Sequence, residues 1–154
     1  MEREEWSENF MRFITRHSDK AWDWTQISKN KIITMDTIKK YPDMPWVWND
    51  VSCNNNVTIE FIEAHPVKPW NWDRISGTIH LTVYFIDKYS HKFYDWNDVA
   101  LNPSLTTELI EHYIDKPWEW SMLCCNKIVT AELAVKYPDK PWNWGEISKH
   151  PNLT

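Results

Sequence analysis

The chain has 154 residues, enough for a domain with a buried core, and carries 17 Lys and Arg against 22 Asp and Glu for a formal net charge of −5. That balance excludes the broad cationic field behind nonspecific nucleic-acid binding, and 2 Gly leave little material for phosphate loops or flexible linkers. No apolar run reaches membrane-spanning length, and the charged start Glu2-Arg3-Glu4-Glu5 is unlike a secretory signal.

Residues 1–21 are expected to form an N-terminal capping helix. Trp6, Phe10, Phe13 and Ile14 follow i, i+4, i+7, i+8 spacing, one apolar stripe on a helix. From residue 22 a tryptophan-rich unit recurs. Trp24, Trp48, Trp72, Trp96, Trp120 and Trp144 are evenly spaced (48 − 24 = 24, and so on), and a second series runs two residues ahead: Trp22, Trp46, Trp70, Tyr94, Trp118 and Trp142. Eleven of the 12 tryptophans fall on these two phases. The period gives one repeat domain over 1–154, with five repeats over 22–141 and a partial sixth over 142–154.

Each repeat contains two helix starts. In the first, Asp23 is the N-cap, Trp22 and Ile27 form a hydrophobic staple and Gln26 completes a capping box. Val47 cannot cap the next unit, whereas Asn71, Asp95 and Asn143 can. In the second start Thr34 caps, Ile33 staples to Ile38, and Asp36 sits at the positive end of the helix dipole. Both helices are short, because an Asn closes the first and a Tyr-Pro or His-Pro pair closes the second. An alternative phasing puts Pro45, Pro69, Pro117 and Pro141 at the first position of a longer helix. Either way the fold class is all-α, a right-handed α-solenoid of short helix-turn-helix repeats. So small a unit cannot bury enough surface alone, and stacking on neighbours supplies the rest. The chain stops at Leu153-Thr154, where the next helix would begin, so this end is expected to meet more chain or a second copy in end-to-end self-association.

The in-register residues read as structural. The tryptophans could stack nucleic-acid bases, but staple partners converging on one face make them core. The recurring Asn30, Asn54, Asn102 and Asn126 could form a ligand ladder; an Asn after a short helix more often satisfies free carbonyls or takes the left-handed turn. Ser28, Ser52, Ser76 and Ser148 recur near helix ends and are structural rather than nucleophilic. His17 and His65 occupy the slot of Tyr41, Tyr89, Tyr113 and Tyr137, and the other histidines (His80, His91, His112, His150) are scattered. Cys53, Cys124 and Cys125 have no zinc spacing and fit a reducing, intracellular setting. With no triad, phosphate loop or nucleophile elbow, neither enzyme activity nor a cofactor is expected.

Two surfaces remain. The outward positions of the second helices read Asp36, Lys39, Lys40; Glu60, Glu63, Ala64; Tyr84, Asp87, Lys88; Glu108, Glu111, His112; and Glu132, Val135, Lys136. Glu60, Glu63, Asp87, Glu108 and Glu111 concentrate the acidity and form a candidate docking ridge for a basic partner. The plainer reading is a solvated face supported by i,i+4 pairs such as Asp36/Lys40 and Glu132/Lys136. Lys20, Lys68, Lys92, Lys116 and Lys140 form a second edge, largely offset by Asp19, Asp115 and Asp139. The unit around Ser90-His91-Lys92-Phe93-Tyr94, with Gly77-Thr78 in place of the Asn turn, breaks the pattern.

The run Pro138-Asp139-Lys140-Pro141-Trp142-Asn143-Trp144, continued by Ile147-Ser148 and Pro151 to Thr154, resembles the tryptophan-rich repeats of giant viruses that infect amoebae and other protists. The resemblance covers the chain from about Asp19 onward, and residues 90–94 depart from it. It implies a viral source and action in the host cytoplasm, and brings no catalytic residues. The expected function is a non-enzymatic protein–protein interaction scaffold that binds a host or viral protein. The alternatives are a modular single-stranded nucleic-acid binder and a self-assembling structural component.

Overall fold

The computed structural model describes residues 3–92 and 96–149. Among the described residues the chain is entirely helical. In order the helices are α1 (Arg3–Arg16), α2 (Trp24–Lys29), α3 (Met35–Lys40), α4 (Trp48–Val51), α5 (Ile59–Ala64), α6 (Trp72–Thr78), α7 (Val83–Tyr89), α8 (Trp96–Leu101), α9 (Thr107–His112), α10 (Trp120–Leu123), α11 (Ala131–Lys136) and α12 (Trp144–Ile147), with a 3₁₀ turn at Ser90–Lys92. No helix is long and apolar enough to cross a membrane. The expectations placed on Glu2, Phe93, Tyr94, Asp95, His150, Pro151, Leu153 and Thr154 lie outside the described residues.

The helices start where side-chain oxygens replace the missing helical acceptors. Asp23 accepts from the Gln26 amide at 3.1 Å and Asn143 from the Glu146 amide at 3.2 Å. Val47 opens α4 with no side-chain cap. The second helix of each pair is capped by threonine every time: Thr34, Thr58, Thr82, Thr106 and Thr130 accept from the amide three residues on, at 3.1–3.3 Å. The prolines Pro45, Pro69, Pro117 and Pro141 precede the helices rather than entering them, which rules out the longer phasing. Where Gly77-Thr78 replaces the Asn turn, α6 runs on to seven residues.

The chain divides into two compact units, Met1–Asn71 and Trp72–Thr154. In the first, α1 packs on α3 and α2 on α4, around Met11, Ile14, Ile33, Ile38, Val51, Phe61 and Ile62. In the second, α8 packs between α6 and α10, around Ile75, Phe85, Ile86, Val99, Ile110, Leu123 and Val129.

Helix α1 buries a different stripe from the one its aromatic spacing suggests. Ser7, Met11 and Ile14 face the core, while Trp6 is 55% exposed and Phe13 52%. On that face Ser7 and Thr37 share a buried hydroxyl–hydroxyl hydrogen bond of 2.6 Å between α1 and α3, beside the buried Met11 and Ile14. Trp6 and Phe13 lie round the helix from the face centred on Met11. Phe13 stays in contact with His17 and, edge-on, with Trp22.

Candidate functional site

Asn54, Asn102 and Asn126, with Ser28, Ser52 and the first indole of each Trp pair, join one repeat to the one before it. The Asn54 side chain, 1% exposed, donates to the carbonyls of Ser28, Asn30 and Ile33 at 3.1–3.2 Å, and its oxygen accepts from the Asn56 amide. Asn102 reaches the carbonyls of Ser76 and Ile79, and Asn126 those of Ala100 and Asn102. These carbonyls lie at helix ends and turns, where intrahelical donors run out. The left-handed turn is not used, since no described residue has positive φ. Asparagine thus satisfies free carbonyls as its position suggests, but those of the preceding repeat.

Serine makes a second link. Ser28 Oγ accepts from the Val47 amide and Ser52 Oγ from the Asn71 amide, each at 3.0 Å. Cys124, in the same register slot, accepts from the Asn143 amide at 3.3 Å through Sγ, and burial pushes its thiol above the ordinary range. The indoles make a third. Trp22, Trp46, Trp70, Trp118 and Trp142 donate Nε1–H to the carbonyls of His17, Tyr41, His65, Tyr113 and Tyr137 at 2.8–3.0 Å. Because the acceptor is the backbone, the slot five residues ahead tolerates His in place of Tyr. The second tryptophan of one repeat meets the first of the next edge-to-face: Trp24/Trp46, Trp48/Trp70, Trp96/Trp118 and Trp120/Trp142, with centroids 4.7–5.2 Å apart.

Every position of the acidic ridge is exposed or half-buried, as its spacing predicts. Glu60 is exposed and Glu63 half-buried in the first unit; in the second, Asp87 and Glu108 are exposed and Glu111 is half-buried. Several of these carboxylates are engaged. Asp87 accepts the Tyr113 hydroxyl at 2.7 Å, and burial, then that carboxylate, raise the phenol above its ordinary pKa. Glu111 pairs with Lys136 at 2.7 Å. The Glu108 carboxyl is held below its usual range by its own backbone N–H and then by the Thr106 hydroxyl. The sequence-inferred pairings change accordingly. Asp36 pairs with Lys39 at 3.0 Å, leaving Lys40 to Glu8, and Lys136 turns to Glu111 rather than Glu132. Long lysine side chains reach an acid on a neighbouring helix as readily as one on their own. On the lysine edge, Lys20 pairs with Asp19 and Lys140 with Asp115.

The first unit also carries two clefts that sequence spacing does not reveal. One, of about 300 Å³, is lined by Ile14, Lys20, Trp22, Trp24 and Met44 among others. The second, of about 260 Å³, is lined by Ile38, Lys39, Trp46, Trp48, His65 and Lys68 among others. They are the same cleft one repeat apart: Ile14 and Ile38, Trp22 and Trp46, Trp24 and Trp48, and Met44 and Lys68 each differ by one period (38 − 14 = 24). The signal available in the sequence was the pair of Trp phases, which reads as wholly buried. Trp46 is buried, but Trp24 and Trp48 are half-buried and form the walls. Among the described residues no group of three His, Cys, Asp or Glu side chains converges to hold a metal.

Comparison with known proteins adds no relative: no protein-family model, no curated protein and no solved structure matches the chain.

Proposed function

We propose that the chain is an α-solenoid of 24-residue repeats, with α1 as the N-terminal cap, that serves as a non-enzymatic protein–protein interaction scaffold. One observation carries the reading: the in-register Asn, Ser and Trp polar groups are engaged in joining consecutive repeats. Recognition is left to the outward positions, which differ from repeat to repeat. Repeat stacks of this kind present extended surfaces to other proteins. The resemblance to giant-virus repeats supports the cytoplasm of an infected host as the setting and a host or viral protein as the partner. Glu60, Glu63, Asp87, Glu108 and Glu111 are the candidate contacts for a basic partner.

Affinity capture of the tagged chain from lysate with and without nuclease, followed by cross-linking and mass spectrometry, tests this. The expected result is a discrete protein cross-linked to the outward positions of the repeats. Recovery of nuclease-sensitive material alone would replace the scaffold with the single-stranded nucleic-acid reading.

A further inference from the structure

The two Trp-walled clefts of the first unit differ in charge from the chain around them. The protein carries a net charge of −5, yet no Asp or Glu lines either cleft, whereas Lys20, Lys39 and Lys68 do. Lys20 and Lys39 pair with Asp19 and Asp36 outside the lining. Lys68 makes no ion pair among the described residues, and its amine lies 4.9 Å from the Trp48 ring centroid. Apart from the lysines, each cleft is lined mainly by isoleucine, indole and proline, with Met44, Thr15 and Ser18 in the first and His65 in the second. An occupant must therefore supply an apolar group for each cleft and negative charge for the rim.

The spacing narrows the occupant further. Helices α2 and α4, whose first residues Trp24 and Trp48 wall the clefts, pack on each other, and packed helices lie ~8–10 Å apart. A polyproline II chain returns to the same face every third residue, after ~9.3 Å at ~3.1 Å per residue. A peptide in that conformation can place residue i in one cleft and i+3 in the next. Base stacking is less well served. The Trp48 ring lies nearly parallel to Phe61, at 14°, and carries the Lys68 amine over it, while Trp24 is met edge-on by Trp46.

We propose that these clefts form a groove for a linear acidic peptide, with apolar side chains three residues apart seated against Trp24 and Trp48 and carboxylates meeting Lys39 and Lys68. This rests on the protein-binding reading above and names one partner chemistry for it. Selection of random dodecapeptides from a display library on the intact chain tests it, with the best peptide then synthesised for titration. The expected consensus is two apolar residues separated by two positions and flanked by Asp or Glu. Lys39→Glu and Lys68→Glu, both on exposed side chains, should each weaken the peptide at least about tenfold with the thermal midpoint lowered by no more than about 4 °C, as expected for loss of a surface pair; Lys29→Glu, outside both clefts, should leave peptide binding unchanged. Enrichment of basic peptides, or of none, would overturn the proposal. Acidic peptides indifferent to both cleft reversals would overturn it while sparing the scaffold reading. Oligothymidylate binding that is lost in Lys68→Glu, with no peptide selected, would sink both.

Discussion

Asparagine 54 shows how one side chain can hold a repeat to its neighbour. Its amide hydrogens are shared among three carbonyls of the preceding repeat, in a site closed to water. Asn30 holds the same register position with nothing comparable to reach. Its side-chain oxygen accepts from the Ile32 amide at 3.0 Å, a local bond, and the residue is only half-buried. The two positions should therefore respond differently to the same substitution. Asn54→Ala strands the buried Ser28 carbonyl, while the Ile33 and Asn30 carbonyls keep the Asn56 side-chain amide and the Ile33 N–H. It should cost ~1–3 kcal/mol, whereas Asn30→Ala removes a turn contact worth under ~1 kcal/mol. Urea unfolding of both variants measures the difference. Equal costs would mean that Asn stabilises its own turn and not the junction between repeats.

At the scale of the helix, the threonine caps make the second element of each pair the better defined one. Thr106 has a double part: its hydroxyl oxygen accepts from the Leu109 amide at 3.2 Å, and its hydroxyl proton helps hold the Glu108 carboxyl below the usual range. Thr106→Ala should lower stability by ~1 kcal/mol through the lost cap. It should also move the Glu108 titration upward, though only part of the way, because that residue's own backbone N–H remains. The sign follows from linkage. A carboxyl with a lowered folded pKa adds stability above its unfolded pKa, and this is lost as pH falls through the folded value. The variant should therefore lose less stability on acidification than the parent. Carboxyl-carbon NMR titration with melting at neutral and acid pH checks both parts; an unmoved Glu108 would show that the hydroxyl is not its donor. Caps such as Asp23 and Thr34 were legible in the sequence because cap and amide lie three residues apart. The outward ridge was legible for the same reason, as a matter of helical phase. The Asn junctions were visible only as a recurrence, since their acceptors lie in the previous repeat. The rotation of α1 was hidden too: the buried face of Ser7, Met11 and Ile14 is completed by Thr37 on another helix, which local spacing does not report. The clefts depend on how far Trp24 and Trp48 are covered, which is set by side chains from adjacent repeats.

For the molecule as a whole, the proposed solenoid makes stability a sum of repeats and junctions rather than the property of one core. The contacts within each unit agree with this. Asn126 reaches Ala100 and Asn102 one repeat back, as Asn54 reaches Asn30 within the other unit. If junctions act only between neighbours, damage at one should stay near it. Asn126→Ala should raise hydrogen exchange at amides of its own unit, such as Leu123 and Val129. The amides of Ile27 and Val51, bonded to Asp23 and Val47 in the first unit, should keep their protection. The substitution removes two bonds to carbonyls near the α8 end, so the opening it promotes is subglobal and should be visible without denaturant. Exchange followed residue by residue decides the matter. Protection lost in step from α2 to α12 would mean that the chain unfolds as one cooperative body, and the nearest-neighbour account would have to be abandoned.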